Sequence, residues 1–302
     1  GSGAVLSAAG TVTASAASGA ALTVSGRANK VILDGATLQA DLGFQGEQNM
    51  LTLANATTVM PGVVLQDRVN ANALTLSNQS LSVASAETSG AVTVSGWNQM
   101  NVANSSTLSL AGDLALMGGG SLLSVDESSQ VKLIPAAVMV TANTVSNDGT
   151  IHIGSGQALT VKGNYTQTAN GVVQVGIGST TSGSMAVTGN TTLNEGAKLL
   201  VANDSVLSNN KTYSNIFRTG GSTNGAFTVG VYRGISYTVQ QNGSEWDLVT
   251  GASVSSTTPT PLLNGGQAQA TLNQSQSTAQ VIRDRIDKMG GGAYEGTSLD
   301  NS

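Results

Sequence analysis

The residue types that support nucleophilic catalysis are scattered along this chain. The only histidine, His152, lies between Ile151 and Ile153 in an alternating segment, so we expect it on the outer face of a strand. A serine hydrolase needs such a base beside a serine and an orienting acid, and no convincing Gly-x-Ser-x-Gly segment is present. We therefore expect no catalytic residue and interpret the chain as not an enzyme.

The aspartates raise a second possibility, carbohydrate cleavage. A carbohydrate-cleaving β-helix would place several aspartates and a basic residue on one exposed sheet, but the aspartates here are too far apart in sequence to form that set by short spacing. Stacking in three dimensions can still bring some together, so a carbohydrate-active β-helix enzyme remains the alternative. No calcium repeat, His/Cys cluster or phosphate-binding glycine loop occurs, and neither a metal nor a cofactor is expected.

Composition argues against an ordinary globular domain. Of 302 residues, 10% are charged and 3% aromatic, while 38 are glycine; a typical domain is about 25% charged. Such a chain can fill a narrow core from Val, Leu and Ile, but not a wide one. The net charge is −5 without a basic stripe, which excludes nucleic acid as an expected partner. The chain has no cysteine, which suits a protein exported unfolded into an oxidising compartment.

Internal repetition indicates the elements that must position any site. A short motif, apolar-Ser/Thr-apolar followed by a small or polar residue and then Gly or Asn, returns at irregular intervals of 16 to 51 residues. The first residues of its copies are Leu22, Leu51, Leu74, Val92, Leu108, Leu159 and Met185. We interpret these copies as one structural position that the chain visits repeatedly.

Between the copies lie further short alternating segments, such as Val31 to Leu33 and Val131 to Leu133, bounded by turn-forming residues. Short strands also suit a sandwich, which usually contains larger aromatic residues and longer strands. One turn of about 20 residues buries about four aliphatic side chains, worth roughly 6–12 kcal/mol, against about 20–40 kcal/mol of backbone entropy. Because a single turn cannot stand alone, stacked turns are favoured. The sequence predicts an all-β, right-handed parallel β-helix with a short C-terminal α-helix.

The chain changes character from residue 163 onward. Gly163-Asn164-Tyr165-Thr166 begins a strand, Met185-Ala186-Val187-Thr188-Gly189 follows, and most aromatic residues fall between residues 165 and 250. This order resembles the carboxy-terminal passenger region of classical, pertactin-like autotransporters of the type V secretion system, clearly over about residues 140 to 250. A fragment of a two-partner-secretion haemagglutinin is a third reading.

The autotransporter resemblance implies a domain organisation. Residues 1–162 are the β-helix repeats, and 163–250 form an autochaperone-like cap that promotes folding. Residues 251–267 are a Ser/Thr/Pro linker, and 268–302 contain a helix that leads towards an outer-membrane barrel absent from this chain.

The same resemblance implies a function. The chain is expected at the bacterial cell surface, exported through the periplasm and outer membrane, where it acts as an adhesin or host-factor-binding virulence rod. Its partners would be a host surface or extracellular protein or glycan, another copy on a neighbouring cell, and its own barrel.

Two segments interrupt the repeat, at about residues 39 to 49 and 59 to 72. Because they break the repeat, we predict that they protrude as loops. Binding residues on a rigid scaffold usually lie on loops. Their least turn-like residues are the predicted binding residues: Phe44, Glu47, Asp67 and Arg68.

Overall fold

The computed structural model describes residues 4–8, 11–12, 22–228 and 230–253. Throughout these ranges the chain is all-β, without a helix, and no segment there could cross a lipid bilayer as a helix. The predicted all-β parallel solenoid is confirmed. The predicted C-terminal helix, the barrel-directed segment 268–302 and most of the linker 251–267 lie outside the described residues.

The described ranges contain twenty-nine strands, numbered here in chain order. The first eleven are β1 Val5–Ala8, β2 Thr11–Val12, β3 Leu22–Val24, β4 Lys30–Asp34, β5 Thr37–Leu38, β6 Leu42–Phe44, β7 Met50–Ala54, β8 Thr58–Val59, β9 Val64–Asp67, β10 Ala73–Ser77 and β11 Ser80–Ala84. The middle nine are β12 Val92–Ser95, β13 Gln99–Ala103, β14 Thr107–Leu110, β15 Leu114–Ala115, β16 Leu122–Val125, β17 Gln130–Leu133, β18 Ala137–Asn147, β19 Thr150–Ile153 and β20 Ala158–Gln167. The last nine are β21 Val172–Val175, β22 Ser184–Val187, β23 Thr191–Leu193, β24 Lys198–Val201, β25 Thr212–Thr219, β26 Thr223–Asn224, β27 Gly230–Tyr232, β28 Ile235–Asn242 and β29 Glu245–Ser253.

These strands form three sheets that follow the solenoid axis. The first sheet runs from β1 through β4, β7, β10 and β13 to β25 and is parallel up to that strand. The second contains, in spatial order, β3, β6, β9, β12, β11, β14, β17, β19, β21 and β24. The third holds only β2, β5 and β8, so it ends where the other two continue. Register partners on strands of neighbouring turns are 20 to 32 positions apart, which is the length of one turn.

Apolar and polar residues alternate along the strands, and the apolar side chains point into the core. In β10, for example, Leu74 and Leu76 are fully buried, and the three residues around them are half-exposed. Register pairs stack like on like, as Leu51, Leu74 and Met100 do in successive turns. Each aliphatic side chain therefore rests on the one in the turn before it, and this shared burial stabilises turns that could not fold singly.

The motif copies do not occupy one structural position, contrary to the sequence interpretation. Leu51, Leu74 and Leu159 lie in the first sheet, whereas Val92 and Leu108 lie in the second. Alternation has a period of two residues in both sheets, so it reveals the inward face of a strand without revealing its sheet.

Aromatic residues close the C-terminal end of the stack. Phe217 makes edge-to-face contacts with Phe227 at 5.1 Å and Trp246 at 5.2 Å between ring centroids, and Tyr165 lies 6.0 Å from it. Here the pairing turns antiparallel, with β29 between β25 and β28. A sheet edge that is covered cannot recruit another chain. The predicted domain boundary at residue 163 falls inside β20, and the division into repeats and cap stays a prediction.

Candidate functional site

Phe44, predicted to be a binding residue on a protruding loop, lies in the core. It belongs to β6, its side chain has no exposed surface, and its ring packs edge-to-face on Trp97 at 5.2 Å. The indole Nε1 of Trp97 donates a hydrogen bond to the Leu65 carbonyl at 2.9 Å, and the Trp97 side chain is fully buried. The prediction that residues 39 to 49 and 59 to 72 are loops is wrong, because both segments contain paired strands.

Asp67 is also buried, with 2% of its surface exposed. Oδ1 accepts hydrogen bonds from the Val69 N–H and the Asn72 side chain, and Oδ2 accepts them from the Ala71 and Asn72 N–H groups, at 2.8 to 2.9 Å. All four donors come from the turn that follows β9. Asp67 therefore shapes this turn and presents no carboxylate to a partner.

Asn72 belongs to a ladder of buried asparagines that climbs through three turns. The Asn49 N–H donates to Asn72 Oδ1 at 2.6 Å, and the Asn29 N–H donates to Asn49 Oδ1 at 2.8 Å. Each side chain thus satisfies main-chain groups that the corner of the solenoid leaves unpaired. Asp67 terminates this ladder.

Glu47 and Arg68 are exposed, and binding by them stays a prediction. Glu47 forms an ion pair with Arg27 at 3.3 Å, and both side chains are more than half exposed. Arg68 Nε donates to Gln66 Oε1 at 3.2 Å. The four predicted residues therefore do not form one surface, since two lie inside and two outside.

His152 lies on the outer face of β19, as predicted, with Ile151 and Ile153 buried on either side. Its Nδ1 is 3.0 Å from Gln174 Oε1 in the next turn. Among the described residues, no three His, Cys, Asp or Glu side chains are arranged to hold a metal ion. Asp126 is surrounded by donors: burial acts to raise its pKa, but hydrogen bonds from Ser129, Asn104 and Ser128 outweigh burial and lower it.

A row of hydroxyl and carboxamide side chains follows the outer face of the first sheet. Register pairs join one such residue to the next in eight successive positions. Seven are half-exposed and the last is exposed. We call this the polar row, and its members are Thr52, Thr75, Asn101, Ser124, Ser146, Thr166, Thr192 and Asn224. Strands in a sheet are about 4.8 Å apart, so the row offers hydrogen-bonding groups at that repeat.

A cleft of about 410 Å³ opens where the third sheet ends. Its lower wall is β8 with the residues around it, and its upper wall is the first half of β11. We call this the β8–β11 cleft. It is lined by Ala56, Thr57, Thr58, Val59, Pro61, Asn78, Gln79, Ser80, Leu81, Ser82, Gly90, Val92 and Ser105.

The cleft has a geometric cause. The two turns are joined at one end, where the Ala56 N–H donates to the Asn78 carbonyl, and at the other, where the Gly62 N–H donates to the Ala91 carbonyl. Between these points the lower turn uses residues 56–62, whereas the upper turn takes the much longer path 78–91. The extra length carries β11 away from β8 and onto β14, with which it pairs instead.

Sequence reasoning missed the cleft, although it bears a sequence signal. The motif copies at Leu74, Val92 and Leu108 follow one another closely compared with the others. Leu74 lies on a strand of the first sheet, but Val92 and Leu108 lie on different strands of the second, because one turn carries an additional strand. Crowded motif copies therefore mark the turn with extra length.

No family model matches this chain, and no curated protein sequence matches it.

Proposed function

We propose that this chain is a non-catalytic surface rod, the passenger of an autotransporter, which acts as an adhesin. The observation that carries the proposal is the polar row, whose Ser, Thr and Asn side chains continue through successive turns of a stacked solenoid. A row of weak, evenly spaced hydrogen-bonding groups suits a partner that makes many contacts at once, because linked contacts raise avidity far above the affinity of each.

The solenoid also suits the mechanical role of a rod. Each turn is hydrogen-bonded to the next along two sheets, and the aromatic cap covers the terminal strands, with the Tyr237 hydroxyl 3.4 Å from both the Leu199 carbonyl and the Val201 N–H of β24. The resemblance to pertactin-like passengers adds export to the bacterial surface and a folding role for the cap. The partner would be a host protein or glycan, or the same row on a second rod.

A bead assay tests the proposal. Beads coated with the protein should cluster with one another, attach to host cells, or both. A Thr75→Glu/Ser124→Glu variant places two carboxylates in the polar row and should lose the interaction through like-charge repulsion or desolvation. The matched control is Ser109→Glu/Gln174→Glu, which changes half-exposed outward residues of the second sheet by the same charge.

The outcomes separate the candidate functions. Loss in the first variant and retention in the control support adhesion through the polar row. Equal behaviour of both variants, or no attachment by the wild-type protein, contradicts it. Release of unsaturated products from acidic polysaccharides, followed by ultraviolet absorbance, would instead establish the carbohydrate-active enzyme.

A further inference from the structure

The two walls of the β8–β11 cleft are strand edges that face each other. In a parallel ladder, consecutive residues direct their main-chain groups to opposite neighbours. Thr58 and Met60 donate their N–H groups to Ala36 and Leu38 in the turn before, so the N–H and C=O of Val59 point the other way, towards the cleft. β8 is the terminal strand of its sheet, and Val59 thus presents an open edge.

The upper wall offers donors. The carbonyls of Gln79 and Val83 accept hydrogen bonds from Thr107 and Ala111 above them, which directs the N–H groups of Ser80 and Ser82 downward. β12 pairs with β11 only from Val83 onward. The edge from Ser80 to Ser82 therefore has no strand beneath it within the described part of the chain.

The Gln79 side chain bridges the two walls beside the Ala56–Asn78 end of the cleft. Its side chain is 4% exposed, and Nε2 donates to the Thr57 carbonyl at 2.5 Å and to the Ser80 carbonyl at 3.2 Å. The Gln79 carboxamide lies between the two solenoid turns, in the place that the peptide group of an added strand would occupy. Its Oε1 is buried without a hydrogen-bond partner, which is an unfavourable state for a polar atom. A hydrogen-bond donor on a ligand in the cleft would satisfy Gln79 Oε1.

We propose that the β8–β11 cleft binds an extended, uncharged peptide segment by strand addition. Open main-chain groups on two walls match the alternating donors and acceptors of a peptide, and such pairing provides affinity in known strand-addition complexes. Gln79 and Ala54 already occupy the main-chain groups of Thr57, so the free part of the lower wall is residues 58–61, about 13 Å at 3.3 Å per residue, which fits about four peptide residues. None of the lining residues is charged or aromatic, so small apolar and hydroxyl side chains suit it, as in the chain's own strands. The cleft shares no residue with the polar row, and binding there does not depend on adhesion.

The test uses a fluorescein-labelled, end-blocked peptide with the sequence of residues 73–78, Ala-Leu-Thr-Leu-Ser-Asn, and measures fluorescence anisotropy against the full chain. Ser80→Pro removes the N–H that faces the cleft, at the first residue of a strand, where proline is tolerated. Ser80→Ala keeps that N–H and is the matched control. We expect Ser80→Pro to weaken binding about tenfold, the effect of one or two main-chain hydrogen bonds, and Ser80→Ala to bind like wild type.

Two further probes decide the chemistry. N-methylation of alternate amides removes the N–H donors that face one wall of the cleft. Of the two alternating sets of methylated peptides, at least one should lose binding. Undiminished binding by both methylated sets, equal binding by Ser80→Pro and Ser80→Ala in variants with the wild-type melting temperature, or no binding of the unmodified peptide at millimolar concentration would overturn the proposal. Binding of a linear neutral oligosaccharide in place of the peptide would overturn it as well and assign the cleft to a glycan.

Discussion

Replacing Asp67 with asparagine tests whether the buried asparagine ladder requires a carboxylate at its end. Both carboxylate oxygens accept two hydrogen bonds from N–H groups of the following turn. In Asp67→Asn, either orientation of the carboxamide places its NH₂ group against two donors. The substitution therefore removes two hydrogen bonds to a charged acceptor and leaves donors facing donors.

The magnitude follows from those contacts. A hydrogen bond to a charged group contributes about 1.5–3 kcal/mol, so the loss of two predicts destabilisation of about 3–6 kcal/mol. That is a large part of the roughly 5–15 kcal/mol that stabilises a typical domain. The matched control is Asp34→Asn: Asp34 is exposed and accepts one hydrogen bond, from Asn55 at 2.7 Å. Exposed substitutions usually change stability by less than about 0.5 kcal/mol.

Urea unfolding followed by tryptophan fluorescence measures the difference. In a Trp246→Phe background the remaining tryptophan is Trp97, which packs on Phe44 of β6, beside the turns that carry the ladder. A lower midpoint for Asp67→Asn than for Asp34→Asn is expected. Equal midpoints in the two variants would refute the assignment of Asp67 to the interior.

Two more predictions concern the cap. Burial raises the pKa of Tyr165, and a hydrogen bond from Asn147 opposes this shift. An unfolded tyrosine ionises near pH 10. Above that pH ionisation stabilises the unfolded state, and the free energy of unfolding of the protein therefore falls. Tyr165→Phe, which also removes the hydrogen bond to Gln167, should lower stability at pH 7 by about 1–3 kcal/mol and flatten the decline above pH 10, measured as melting temperature against pH. Deletion of residues 163–250 removes Phe217 and Trp246 and exposes the edges of β19 and of the second half of β18, so the remaining repeats should fail to refold from urea. Refolding at the wild-type rate and midpoint would contradict the folding role of the cap.

Much of the fold was predictable from sequence because alternation is a local signal. Leu74 and Leu76 point inward and Thr75 outward in the structure, as the pattern indicates. The aromatic cap was predictable for a similar reason, since its residues are concentrated near the C-terminus. The orientation of His152 followed from its two isoleucine neighbours.

The candidate site was less predictable because it depends on contacts between turns. Phe44 is buried because Trp97, far away in sequence, packs on it. Asp67 is buried although its donors follow it closely in sequence, because the fold of the segment after β9 directs four N–H groups at its carboxylate. The residues flanking Phe44 do not identify Trp97 as its partner, and the β8–β11 cleft arises from a difference in length between two solenoid turns.

The end of the third sheet at β8 also affects how the rod bears tension. A pull along the axis is resisted by the ladder hydrogen bonds between adjacent turns, loaded together. Between β7 and β10 five register pairs remain, and β9 and β12 contribute three, but the β8 side contributes none. From this level onwards two ladders carry the stretching force between adjacent turns, whereas the turns from β2 to β8 share it among three, so a pulled solenoid should part beyond β8 before it parts within those first turns.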